Sequence, residues 1–305
     1  MSIPESQLQT WSRYIQTDKA INTHQSIRNV INNHQYSKEY EYEDYLQGSY
    51  KNNTNIWSDT DVDIVIQLNS IFRGNKKNLN EEERKKYENY YESASYTLQD
   101  FKNEIIDVLF NKYRNRLQIG KKSIKILKDS NNSVYDADIV VAMQYRLYTH
   151  KKDENTKTDN IGLNYYEGIL FNTSDGKEII NFPKIHYKNG VKKHKNTNKL
   201  FKPVVRIFKN MRNELEEKYF IPKNLAPSYF IQCLLYNVPD YIYLIYSDSL
   251  QELIDNILMW LYENINENFV SQNEIVPLFG NEDDKWDLYK AKDFIENLQE
   301  MWKEW

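Results

Sequence analysis

Asp61 and Asp63 stand two residues apart at the head of the run Asp61-Val62-Asp63-Ile64-Val65-Ile66. Side chains alternate along a strand, so both carboxylates would leave the same face. The apolar residues Val62, Ile64, Val65 and Ile66 predict a buried strand whose open end carries the charges. Two carboxylates with no basic neighbour in sequence suit a hard divalent cation bound through oxygen. Upstream, Gly48-Ser49-Tyr50 offers backbone N–H groups and a hydroxyl, the donors that hold a phosphate. A phosphate cradle followed by paired carboxylates is what a metal-assisted phosphoryl or nucleotidyl transfer requires. Asp-x-Asp alone says little; the ordered set of Gly-Ser, polar loop, Asp-x-Asp and apolar run says more.

A third carboxylate has two candidates, Asp136 and Asp138, in Val134-Tyr135-Asp136-Ala137-Asp138-Ile139-Val140-Val141-Ala142. Asp138 opens a continuous apolar run, as Asp63 does, and is expected on a neighbouring strand beside the first pair. There it would complete a two-metal site and help deprotonate an attacking hydroxyl. The alternative is a solvated strand end. Given the first motif, Asp138 is preferred to Asp136.

The elements that must hold these residues can be read from periodicity. Residues 4–33 have helical periodicity, with Leu8, Trp11, Tyr14, Ile15, Ile21, Ile27, Val30 and Ile31 on a broad stripe. Residues 70–80 read as a polar connection. A long helix is expected over residues 80–116, opening on Asn80-Glu81-Glu82-Glu83, an N-cap with an acidic first turn. Strands are expected at 123–127, 134–144, 163–171 and 179–182. Beyond residue 200 the pattern is helical, at 201–218, 226–236, 250–266 and 285–302. The change near residue 195 divides an α/β core (1–195) from a helical lobe (196–305), with a cleft expected between them.

Composition narrows the class. A chain of 305 residues can bury a sizeable core, and its 25 Tyr with only 8 Gly and 7 Pro favour long regular elements. No apolar run is long enough to cross a bilayer, and Met1-Ser2-Ile3-Pro4 begins no signal peptide. The one cysteine, Cys233, excludes an intrachain disulfide and fits a reducing cytoplasm; its apolar helical setting argues for packing over nucleophilic chemistry. A formal net charge of −4 argues against bulk nucleic-acid binding, though not against a local basic cleft.

The run Gln47-Gly48-Ser49-Tyr50, Thr54-Asn55-Ile56, Ser58-Asp59 and Asp61-Val62-Asp63 resembles the opening signature of the nucleotidyltransferases related to polymerase β. More narrowly, it resembles the bacterial cGAS/DncV-like nucleotidyltransferases (CD-NTases). Tyr165-Tyr166-Glu167-Gly168, Ile180 to His186, Asn189-Gly190-Val191, Phe201 to Lys209 and Ala226 to Leu234 resemble later blocks of that family, so the likeness spans roughly residues 40 to 240. It is closest to the clade termed CdnE. The resemblance implies an α+β fold: a polymerase-β-like nucleotidyltransferase core, a C-terminal helical lobe and a long N-terminal helix. It implies Mg²⁺, two ions, with Mn²⁺ as an alternative, held by Asp61, Asp63 and Asp138 as catalytic residues. By the same likeness Gln47, Gly48, Ser49, Lys209, Ser228 and Tyr229 bind nucleotide. The products would be cyclic di- or oligonucleotides, sensed by a separate effector in anti-phage (CBASS) signalling.

The later blocks can also be read physically. Lys202, Arg206, Lys209 and Asn213 fall on one helix face beside an apolar face of Val204, Phe208, Met211 and Leu215. Such a stripe could present Lys209 and Arg206 to a triphosphate. Pro227-Ser228 marks a helix start, and helix N-termini favour phosphate. Tyr229 offers a ring for stacking. The lysine-rich run 184–199, with its Gly190, reads by default as a surface loop. It could instead guide nucleotides or nucleic acid, but it lacks zinc-ligand spacing. His186 and His194 have no third His or Cys nearby to make a metal site. Two other readings stand beside cyclic-nucleotide synthesis: a template-independent transferase acting on RNA or protein, and a catalytically idle nucleotide-binding protein.

Overall fold

The computed structural model describes residues 2–15, 18–33, 40–59, 61–129, 135–218, 221–223, 225–282 and 285–305. The chain forms two compact units. One comprises Thr17–Gln47 and Thr60–Ile185; the other comprises Met1–Gln16, Gly48–Asp59 and His186–Trp305. The second unit is helical and begins nine residues before the change of pattern at 195. It also takes in two segments distant in sequence.

The first unit is built on a mixed eight-stranded sheet. Its long members are β2 (Asp61–Asn75) and β5 (Asp136–Tyr148), which run parallel. β1 (Tyr42–Leu46) pairs antiparallel with the outer side of β2. The other side of β5 is shared: β4 (Ile124–Ile126), itself paired with β3 (Leu117–Ile119), covers its first half, and β7 (Asn164–Asn172) covers its second. β6 (Thr156–Thr158) and β8 (Glu178–Asn181) flank β7. All four predicted strands are therefore present, although Val134, the expected start of one, lies outside the described residues.

Alternation explains why β2 and β5 are fixed in register. Val62, Ile64, Ile66 and Leu68 on β2, with Ala137, Ile139 and Val141 on β5, are buried on one face. A one-residue slip would turn that whole set to the other side. Helices α2 (Asp18–Asn32) and α5 (Leu98–Tyr113) pack against these strands through Ile27, Ile31, Phe101, Ile105 and Leu109.

Three expectations for the elements before residue 120 need correction. Residues 4–33 form two helices, α1 (Glu5–Ser12) and α2, because the chain turns extended at Arg13 and Arg206 Nε donates to the Ser12 carbonyl at 2.7 Å. That carbonyl is then spent on a tertiary partner instead of a further helical turn. Residues 80–116 also form two helices, α4 (Glu81–Tyr90) and α5, each opening on its own capping box, Asn80 with Glu83 and Thr97 with Asp100. The second box starts a helix where periodicity alone ran through. Finally, the polar stretch after residue 69 is strand as far as Asn75, with a register shift between Leu68 and Phe72 that lets the pairing resume.

In the helical unit α7 (Phe201–Lys218) is the central element, with Val204, Val205, Ile207, Phe208, Met211 and Leu215 all fully buried. Around it pack α1, α8 (Ser228–Tyr236) and α11 (Leu288–Glu304), while α10 (Leu250–Asn264) packs on α1 and α11. Each such aliphatic side chain contributes roughly 1.5–3 kcal/mol of burial. α3 (Gly48–Asn52) and α9 (Asp240–Ile245) are short. The lysine-rich run is α6 (Pro183–Asn196), a helix and not the surface loop expected. Its Asn189 donates to the Gln272 carbonyl at 2.9 Å, and a Cβ at position 190 would collide with the Gln272 side-chain amide, which would have to shift to admit any larger residue.

Candidate active site

In the sheet unit, the strand pairing brings the carboxylates together. β2 and β5 pair Asp61 with Asp136 and Asp63 with Asp138. Directly opposed residues on neighbouring strands share a face, and strands lie about 4.8 Å apart. All four acids therefore line one face of the sheet, on the side away from Val62 and Ile64. Val65, Val140 and Ala142 continue the same face as a buried apolar floor, packed with Ile169 and Phe171. Each of the four acids keeps partial exposure.

Their immediate partners differ. Asp136 Oδ1 accepts the Lys128 backbone N–H at 2.6 Å, which ties it to the loop after β4. Asp138 Oδ1 accepts the Ser123 hydroxyl at 3.2 Å. Asp61 Oδ2 accepts from Lys125 Nζ at 2.9 Å. Lys125 lies on β4, directly opposite Asp138, so its side chain reaches across β5 to the acid on β2. The hydrogen bond to Asp61 raises the pKa of this ammonium; burial opposes the rise, and Asp61, Asp138 and Asp136 add to it through their charge. Sequence reading missed Lys125; the alternation Ile124-Lys125-Ile126, one polar residue on a short strand, was the only signal.

As donors, three carboxylates on one sheet face fit hard divalent cations bound through oxygen. As the side chains stand, no three His, Cys, Asp or Glu among the described residues form a ready metal-holding group. Gln47 adjoins the row: its N–H donates to the Asp63 carbonyl at 2.9 Å.

The helical unit holds the remaining predicted residues. Gly48 opens α3 with φ of 66°, a conformation that glycine adopts without strain. Ser49 follows, and its carbonyl accepts the Thr54 N–H at 3.0 Å. The loop after α3 is fastened from α7. Arg206 Nη1 donates to the Asn53 carbonyl at 2.6 Å, and Asn213 Nδ2 to Ser58 Oγ at 2.9 Å. Lys209 Nζ donates to the Thr54 carbonyl at 3.0 Å and pairs with Asp59. Lys209 is 1 % exposed. Arg206 and Lys209 of the stripe expected to face a triphosphate are thus buried, with hydrogen bonds to the 53–59 loop and, from Arg206 Nε, to the Ser12 carbonyl.

Ser228 begins α8, with Pro227 as its N-cap, and is half-buried. Tyr229 is 37 % exposed, and one side of its ring stacks on His186 with 5.3 Å between centroids. His186 is buried in the helical unit. Its Nε2 accepts from Gln232 Nε2 at 3.0 Å, its Nδ1 has no partner, and burial pushes its pKa down to about 4. Burial likewise pushes the Cys233 thiol up to about 12, which removes it as a nucleophile. Among the lysines of α6, Lys193 is buried and pairs with Asp240.

An Asp-x-Asp strand in register with a second acidic strand, together with a helical unit, describes a nucleotide-transferring class of protein. Residues 188–303 match the family model described as the cGAS/DncV-like nucleotidyltransferase C-terminal helical domain. Over its whole length the chain is 38 % identical to a cyclic nucleotide synthase, CdnE01, of Staphylococcus haemolyticus, all of which it covers. It is 37 % identical, again over its whole length and 99 % of the relative, to the cyclic UMP-AMP synthase of Rhodothermus marinus. A solved structure of the R. marinus CdnE c-UMP-AMP synthase with Apcpp and Upnpp superposes with a TM-score of 0.86, covering 99 % of this chain and 97 % of that one. That of the Elizabethkingia meningoseptica CdnE cyclic dinucleotide synthase with GTP and Apcpp gives 0.75 at 27 % identity, covering 98 % of each. The chain belongs to the cGAS/DncV-like nucleotidyltransferases. Within them it groups with the CdnE enzymes, and the fold is the α+β fold that the resemblance implied.

Proposed function

We propose that this chain is a Mg²⁺-dependent synthase that joins two NTPs and closes them into a cyclic dinucleotide, in the cytoplasm, as part of CBASS signalling against phage. The observation that carries the reading is the pairing of Asp63 with Asp138 beside Asp61, in a chain 37–38 % identical to named synthases over its full length. A metal ion bound there supplies charge neutralisation at the triphosphate and lowers the pKa of the acceptor hydroxyl. Asp61 and Asp63 would hold the metal ions, and Asp138 would complete the ligand set. Gln47, Gly48 and Ser49 hold the β- and γ-phosphates through backbone N–H groups and the Ser49 hydroxyl. Ser228 adds a hydroxyl at a helix start. Tyr229, partly exposed and stacked on His186, offers its ring to a base. Lys209 acts through the loop it fastens. For ring closure the linear intermediate turns over, so that the triphosphate of the former acceptor becomes the donor.

Purified protein incubated with Mg²⁺ and each NTP, alone and in pairs, tests this. The expected result is pyrophosphate together with a small product that resists phosphatase. A linear, macromolecular product would favour a transferase acting on RNA or protein instead, and no pyrophosphate at all would mark an idle nucleotide binder.

A further inference from the structure

The lysine in the carboxylate row has no part in the reaction as described above. We infer that the Lys125 ammonium is a resident counter-ion of the acidic row, one that a divalent cation must displace from Asp61 before it can bind. The inference rests on the reading of Asp61, Asp63 and Asp138 as metal ligands.

Four carboxylates on one sheet face repel one another, and a cation between them relieves that repulsion. Lys125 is in position to do so. It stands opposite Asp138 on β4, spans β5, and reaches Asp61 Oδ2 at 2.9 Å. Its stem is held by the strand, with Ile124 and Ile126 on either side 1 % and 3 % exposed. Its side chain is 30 % exposed and that of Asp61 38 %, so the pair is open enough to part without unfolding anything. The ammonium can swing to water while the strand stays put. Lys125 is a positioning residue: it sets where the Asp61 carboxylate points in the empty enzyme and how strongly a metal must compete for it.

The test is Mn²⁺ binding to nucleotide-free protein, followed by the paramagnetic resonance of unbound Mn²⁺. Wild type, Lys125→Met, Lys125→Gln and Lys125→Arg are compared, with Asp63→Asn marking the site. Both neutral variants should bind Mn²⁺ on the order of tenfold more tightly than wild type, since one unit of competing charge is gone. Lys125→Arg should stay near wild type, and Asp63→Asn should abolish the binding. Affinities within twofold of one another, at a site that Asp63→Asn still abolishes, would overturn the role of Lys125 and leave the metal site standing. If no variant binds Mn²⁺ at such a site, even with a non-hydrolysable NTP analogue present, the metal reading and this inference fall together.

Discussion

Two lysine–aspartate pairs, one in each compact unit, use the same chemistry for different ends. Lys125 meets Asp61 on an open sheet face, with both side chains about a third exposed. Lys209 meets Asp59 with its own side chain 1 % exposed and a second bond to the Thr54 carbonyl. Water and salt screen the first pair, so it contributes little to stability and can be exchanged for another cation. The second is largely buried, on the lysine side almost completely, and losing either partner leaves a poorly solvated charge without its counter-ion. Burial, and not the identity of the pair, separates an exchangeable ion from a structural bolt.

The largest expected effect falls on the open face. Asp63→Asn should lower pyrophosphate release by about a thousandfold or more, roughly 4 kcal/mol on the barrier. Its urea midpoint should stay close to wild type, since Asp63 is only partly buried. A large loss of stability in this variant would erase the contrast between the two regions.

Lys209→Met should do the reverse. Removing the buried ammonium leaves the Asp59 carboxylate without its counter-ion, though still accepting the Ile56 N–H, and should cost about 3 kcal/mol in urea unfolding. The double variant Lys209→Met/Asp59→Asn should recover part of that loss, because the stranded charge is gone. If Lys209→Met were as stable as wild type but failed to bind NTP, the lysine would belong with the phosphates and not with the loop.

His186 sharpens the same point through pH. Its folded pKa of about 4 lies below the unfolded value near 6.5, so the folded protein prefers the neutral ring. Protonation therefore favours the unfolded state. The His186 contribution is fully present above pH 6.5 and is lost as pH falls from 6.5 towards 4, by up to roughly 3 kcal/mol. His186→Leu should flatten stability over that window relative to wild type, as read from urea midpoints at several pH values. Lys125→Met should give the smallest effect, under about 1 kcal/mol, vanishing in high salt.

Much of the carboxylate site was legible in the sequence because strand alternation is a local rule. Asp61 and Asp63 had to share a face once Val62 and Ile64 were buried. The apolar run after Asp138 announced a second buried strand, and α7 spans the residues its periodicity indicated. Less legible were the breaks at Arg13 and at residues 91–97. At Arg13 a distant arginine takes the Ser12 carbonyl. In the other case the Thr97–Asp100 capping box starts a new helix inside a stretch whose apolar repeat reads as continuous.

The sequence by itself determined the family, the acidic strands and the apolar stripe of α7, since residue type and spacing set these locally. Tertiary structure alone decided that Asp63 faces Asp138 with Asp61 paired to Asp136, that Lys125 reaches across a strand into the acidic row, and that Lys209 is sealed beneath the 53–59 loop. Strand register and burial arise from contacts between segments far apart in the chain. No window of neighbouring residues contains them.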